Sequence, residues 1–229
     1  MSFRDPDGLR HAPDGAQRVA SLLDGPAHHA LCALVAALPP DQAGLRVHGV
    51  AALAPLLSPT GPIGRLAAQM TGADGCRPVR AVLFDKSATR NWALGWHQDR
   101  TIAVQHRIEV DGFGPWSLKR GVTHVEPPFD ILAGMLTVRV HLDAVPATNA
   151  PLLIAPGSHR LGRVPAAQAA DAAARCGTVA CLAEAGDAWV YATPILHASH
   201  AAVAPTHRRV LQIDFAARAL PGGLCWLGV

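Results

Sequence analysis

Paired cysteines, lysine and long apolar runs are what this chain is short of. Its five cysteines (Cys32, Cys76, Cys176, Cys181 and Cys225) are odd in number and none sits in a CxxC pair. That pattern argues against a disulfide frame or a zinc ribbon and for free thiols in a reducing compartment. Lysine occurs only at positions 86 and 119, and the other basic residues are arginine. A lysine at either place is therefore informative, since a site built for a planar guanidinium would not ask for an ammonium. The net charge is only +3, and no run of Lys and Arg interleaved with aromatics appears, so nothing specific points to nucleic acid. The most apolar stretch, HHALCALVAALPP (28–40), is too short to span a bilayer, and the opening MSFRDPDGLRHAPDG has no apolar signal-peptide core. The expectation is a cytoplasmic protein whose partner is a small molecule, with neither nucleic acid nor membrane; oligomeric state is not legible.

What is present suits a compact fold. Half of the 229 residues are hydrophobic and 16% are charged, enough to bury a sizeable core and too apolar for a disordered chain. One domain is expected, with residues 1–78 mainly helical and 79–229 mainly β. The helical reading rests on apolar positions spaced for a helix through Val19–Leu23 and Leu31–Leu38. From Ala81 the pattern changes to short β-rich runs: AVLFD (81–85), TIAVQ (101–105), LTVRVHL (136–142), PLLIA (151–155), TVACLA (178–183), AWVYA (188–192) and RRVLQIDFA (208–216). Turn residues separate them, and PAAQAADAAARC (165–176) reads as a helical insertion. Many short strands with little helix between them predict an antiparallel jelly roll, packed against the N-terminal helices.

Within NWALGWHQD (91–99), His97 and Asp99 stand two apart. In an extended segment positions i and i+2 share a face, so imidazole and carboxylate can reach one object. This donor set suits Fe(II), Mn(II) or Zn(II); the same pair would also serve as an Asp fixing a His tautomer in a structural hydrogen bond. A third ligand is expected from a distant strand. Among twelve histidines, His197 has the best setting, at the end of an apolar strand opened by the Gly186-Asp187 turn. Two histidines and a carboxylate form a facial triad with positions open for exogenous ligands. A dicarboxylate chelating that metal needs a cation at its far end. In RRVLQIDFA, Arg209 shares a face with Leu211, Ile213 and Phe215, whereas Arg208 shares one with Val210, Gln212 and Asp214. Arg208 is therefore the expected anchor.

The ordered set His97-Gln98-Asp99, NAPLLIAPGSHR (149–160), Gly186-Asp187, His197-Ala198-Ser199 and Arg208 resembles the phytanoyl-CoA dioxygenase-like branch of the Fe(II)/2-oxoglutarate oxygenases, over roughly residues 80–216. The resemblance implies a double-stranded β-helix, a cupin-like jelly roll. It implies that His97, Asp99 and His197 hold Fe(II) and that Arg208, helped by Ser199, binds the far carboxylate of 2-oxoglutarate, with O2 as the other co-substrate. Lys86 matches a lysine that lines the pocket in relatives, and Arg139 falls where relatives place a pocket-facing side chain. The implied activity is a hydroxylase releasing succinate and CO2. Halogenating relatives give up the carboxylate that is present here as Asp99.

Two positions depart from that pattern: alanines, Ala150 and Ala198, stand where glycine is usual. They fit only if the backbone does not need φ > 0 there. The stretch 108–130, rich in Gly and Pro and carrying Trp116, Lys119, Arg120 and His124, is expected at the entrance. Two other functions remain compatible with these residues: a binding protein that holds metal and 2-oxoglutarate without turnover, and a cupin-like metalloenzyme using another metal.

Overall fold

The computed structural model describes residues 6–39, 44–73, 75–204 and 206–229. All strand pairings among them are antiparallel, and they form three sheets. The strands are β1 (Ala16–Val19), β2 (Leu45–Val47), β3 (Arg77–Lys86), β4 (Leu94–His97), β5 (Ile102–Val104), β6 (Trp116–Lys119), β7 (Val122–Val125), β8 (Met135–His141), β9 (Leu152–Ile154), β10 (Val179–Cys181), β11 (Ala188–Ala192), β12 (His197–Ser199) and β13 (Arg208–Ala216). The helices are α1 (His11–Asp14), α2 (Gly25–Ala36), α3 (Ala54–Leu57), α4 (Pro62–Thr71), α5 (Phe129–Ala133) and α6 (Ala169–Cys176).

A six-stranded sheet runs β1-β11-β8-β13-β3-β2, and a four-stranded sheet runs β10-β9-β12-β4. The two pack together through Trp189 and Tyr191 of the large sheet and Leu152, Ile154, Val179 and Cys181 of the small one. This is the mainly β, jelly-roll architecture that the strand pattern predicts. The third sheet, β5-β7-β6, holds the Gly- and Pro-rich stretch as a hairpin.

Strand alternation decides what each face of the large sheet meets. Val138, Val140, Leu211, Ile213 and Leu83 point outward and pack under Leu31, Val35, Leu57, Ile63 and Leu66 of the helices. Asp24 caps α2, its carboxylate accepting from the Ala27 amide at 2.9 Å, and so fixes where the first helix begins. The opposite parity, Arg139, Gln212, Arg208, Arg80 and Val82, lines the interior between the sheets.

The N-terminal region differs from expectation in one respect. Helix-like spacing predicts a helix through Val19–Leu23, but Ala16–Val19 is β1 on the edge of β11, and Leu45–Val47 is β2 on the edge of β3. Both outer strands of the large sheet thus come from the region expected to be helical. Among the described residues no helix is long and apolar enough to cross a membrane.

Candidate metal centre

The register of the small sheet builds the centre. β12 lies between β9 and β4, and His197 stands directly opposite His97, which brings the ring centroids within 4.2 Å. β4 ends at His97, so Asp99 lies just beyond the strand rather than within it. Gln98 between them is buried and fully bonded: its amide donates to Gly162 O at 3.0 Å and Pro194 O at 2.8 Å and accepts from the Val164 amide at 2.9 Å. These three bonds pin the segment so that its neighbours face the cavity. One potential ligand atom from each of His97, Asp99 and His197 falls within a 4.8 Å group.

The donor chemistry fits a divalent cation. Nδ1 of His97 is 2.8 Å from Gly95 O, and Nδ1 of His197 is 2.9 Å from Ile195 O. A carbonyl accepts only from N–H, so each ring carries its proton on Nδ1 and leaves the Nε2 lone pair free. Burial, only partly offset by Asp99, pushes the His197 pKa down to about 4, which keeps the ring neutral and able to ligate. Burial also opposes ionisation of Asp99, but the Arg80 guanidinium, with His197 and His97 and an amide from Gln212, outweighs it and holds the carboxyl low. Arg80 Nη2 and Gln212 Nε2 both address Oδ2 of Asp99, at 3.2 and 3.4 Å, so Oδ1 is the oxygen left for a cation.

Behind this centre is a chain of oriented partners. Arg80 Nε pairs with Asp214 at 2.5 Å, and Asp214 accepts from Thr137 at 2.9 Å. The carbonyl of the Gln212 amide accepts from Arg139 at 2.6 Å and from the Tyr191 hydroxyl at 3.3 Å, which turns the NH2 end toward Asp99. Sequence reading did not single out Arg80. Its signal is strand parity: Arg80, Val82, Phe84 and Lys86 share one face of β3, but the run read from sequence began one residue later, at Ala81.

The cavity beside the centre has a volume of about 370 Å³ and is lined by Phe84, Trp92, Leu152, Ser199, Arg139 and Arg208 on one flank. Arg208 is 3% exposed, and burial lowers its pKa to about 9. Its Nη1 donates to the Ala150 carbonyl, while Nε has no partner. Arg209 instead turns outward, to Asp143 at 2.6 Å. Among the described residues neither Arg208 nor Arg139 pairs with a carboxylate. Ala150 has a φ of 50°: the backbone does require the left-handed region there, contrary to expectation, and alanine bears it. Ala198 lies in β12 and is buried without positive φ.

Lys86 sits behind the wall rather than on it, and is not among the residues lining the cavity. Burial, with Arg208 and Arg139 nearby, lowers its pKa to about 7. Its Nζ donates to Trp92 O at 2.6 Å, Ser199 Oγ at 2.8 Å and His200 O at 2.8 Å. Three acceptors match the three protons of an ammonium, so Lys86 ties β3 to β12 and orients the Ser199 hydroxyl that does line the cavity.

Comparison with known proteins places this geometry. The family model described as phytanoyl-CoA dioxygenase (PhyH) matches residues 52–210. Comparison with curated protein sequences gave no match. Among solved structures, the epimerase SnoN in complex with Fe3+, alpha ketoglutarate and nogalamycin RO superposes with a TM-score of 0.67 at 17% identity, covering 93% of this chain and 88% of that one. EctD from S. alaskensis with 2-oxoglutarate and 5-hydroxyectoine gives 0.64 at 18% identity, covering 90% and 73%. AviO1 from Streptomyces viridochromogenes Tue57 gives 0.64 at 20% identity, covering 96% and 99%. At such identities the superpositions speak for the fold, and the family match speaks for descent. The chain belongs to the phytanoyl-CoA dioxygenase (PhyH) family of Fe(II)/2-oxoglutarate-dependent oxygenases, whose chemistry uses Fe(II), 2-oxoglutarate and O2.

Proposed function

We propose that the chain hydroxylates a small organic substrate, with Fe(II) held by His97, Asp99 and His197 and the far carboxylate of 2-oxoglutarate held by Arg208. The observation that carries this reading is a buried arginine without an acid partner, in the same cavity as a converging His, Asp and His. A buried guanidinium costs free energy unless a counter-ion meets it, and a dicarboxylate reaching from the centre supplies one. Ser199 adds a hydroxyl, and Arg139 adds positive charge, as it flanks Gln212 and lies over the Phe84 ring. Iron and 2-oxoglutarate, when bound, would activate O2, the oxidant: one oxygen atom would enter succinate as CO2 leaves, and the other would be available for insertion into a substrate C–H bond.

The chain's own share is positional. Backbone carbonyls hold both imidazole tautomers, Arg80 and Gln212 keep Asp99 ionised with one oxygen free, and Phe84, Trp92 and Leu152 exclude bulk water from the co-substrate flank. Related folds include an epimerase and, by its name, a carbocyclase, SnoK. Hydroxylation is therefore tested by transfer of one labelled oxygen atom from O2 to product.

The first test needs no substrate. Anaerobic Fe(II) protein given 2-oxoglutarate should develop the weak visible charge-transfer absorption of a chelated 2-oxo acid, and Arg208→Ala should need at least about 10-fold more 2-oxoglutarate, the loss of one charge-assisted pair. Absence of the band in folded, iron-loaded protein would overturn the reading. An unchanged requirement in Arg208→Ala would remove Arg208 from it.

A further inference from the structure

The same cavity has a second flank that the co-substrate does not explain. Arg46, Arg80, Arg100, Lys119, Arg139 and Arg208 line the cavity, and Asp99 is the only acid among the described lining residues. Asp99 and Asp214 compensate Arg80. Fe(II) and the 2-oxoglutarate dianion carry equal and opposite charge, so loading both leaves the positive excess unchanged. The cavity therefore favours a further anion.

Sheet register separates the cations into two groups. One rung crosses the large sheet as Arg139, Gln212, Val82, Arg46, on β8, β13, β3 and β2. Three strand spacings put the backbones of Arg139 and Arg46 about 14 Å apart. Arg208 is repelled by Arg139, whereas Arg46 is repelled by Arg80 and Arg120, and Lys119 is repelled by Arg80 and Arg46 and attracted by Asp99. Arg46 Nε is buried without a hydrogen-bond partner, and its Nη1 has only a long 3.4 Å contact to Gly44 O. Lys119 Nζ meets the Thr101 hydroxyl at 3.1 Å. Neither has a carboxylate partner among the described residues.

We propose that Arg46 and Lys119 together bind an anionic group of the primary substrate, a carboxylate or a phosphate, on the β2 and β6 flank of the metal centre. This substrate class rests on the oxygenase reading; the anion site itself does not. Arg46 supplies a fork from the edge of the large sheet, and Lys119 closes on the same group from the β6–β7 hairpin. The carbon to be oxidised then lies between that group and the triad, beside Asp99.

The probes are benzoate and phenyl phosphate, with benzyl alcohol as the neutral control, titrated calorimetrically at low ionic strength into metal-free protein and into the anaerobic Fe(II)/2-oxoglutarate complex. At least one anion should bind more tightly than benzyl alcohol, weaken with salt, and lose about 10-fold in affinity in Arg46→Gln and in Lys119→Gln, one charge-assisted contact each. The tighter of the two anions distinguishes carboxylate from phosphate. The charge-transfer band should need the same 2-oxoglutarate concentration in both variants as in the parent. The proposal is overturned if neither anion exceeds the alcohol, if the variants bind both anions normally, or if either variant raises the 2-oxoglutarate requirement. If no band forms in the parent but Arg46 and Lys119 still hold the anion, the oxygenase reading fails while the anion site stands.

Discussion

The φ of 50° at Ala150 aims its carbonyl at the Arg208 guanidinium, so local strain and the proposed co-substrate anchor meet at one residue. A left-handed alanine costs about 1–2 kcal/mol relative to right-handed backbone, which glycine avoids while losing about 0.5–1 kcal/mol of entropy. Ala150→Gly should therefore stabilise the protein by about 0.5–1 kcal/mol in urea denaturation and leave the 2-oxoglutarate requirement unchanged; destabilisation would mean the strain is relieved elsewhere. Gln212 makes a second test at this scale. Its amide is oriented by Arg139 and Tyr191 and touches Asp99 only through Oδ2. Removing such a supporting partner typically weakens metal binding about 10-fold or more. Gln212→Ala should show that loss for Co(II), read from its visible absorption, with folding intact; equal Co(II) affinity would leave Asp99 to Arg80 alone. The i, i+2 spacing made His97 and Asp99 legible in sequence, and β13 parity separated Arg208 from Arg209. Arg46 was not legible, because its approach to the centre depends on a cross-sheet register that no local pattern encodes.

At the scale of elements, a buried strand reads more clearly than a half-exposed one set in a helix-rich context. RRVLQIDFA coincides with β13, which pairs on both sides and is buried over most of its length, with one register shift against β3 between Asp214 and Phe215. AQRV and LRV, β1 and β2, pair on one side only and are three or four residues long. In an alanine- and leucine-rich region such fragments carry too little period-two signal to outweigh helical spacing. What holds β1 is partly ionic. Asp187, at the turn into β11, accepts from the Ser21 and Glu184 amides at 2.8 Å each and from Arg18 at 2.7 Å. Burial opposes its charge, but these donors outweigh it and depress its pKa. A depressed carboxylate contributes stability that is complete above its unfolded value of about 3.9 and is lost as pH falls through the lower folded value. Asp187→Asn should cost about 2 kcal/mol at pH 7 by urea denaturation, and the gap between parent and variant should close as pH drops below about 4. A gap that persists in acid would assign the cost to lost geometry rather than charge.

For the molecule as a whole, a cavity whose lining is mostly cationic focuses the field at its mouth and raises the local concentration of anions. The association rate of 2-oxoglutarate with the Fe(II) protein should fall several-fold between about 20 and 200 mM salt, measured by stopped flow, with a smaller change in dissociation. A rate indifferent to salt would mean that the cations are already neutralised in solution.

The strand that brings Arg46 into the cavity precedes the stretch matched by the family, residues 52–210, whereas His97, Asp99, His197 and Arg208 all fall inside it. Seen as heredity rather than geometry, the proposed triad and anchor lie inside the matched stretch together with Lys119, whereas Arg46, the other proposed contact to the substrate's charge, lies on a segment outside it that is able to diverge at a different speed. A relative that kept the triad but exchanged β2 would keep its chemistry and change its clientele.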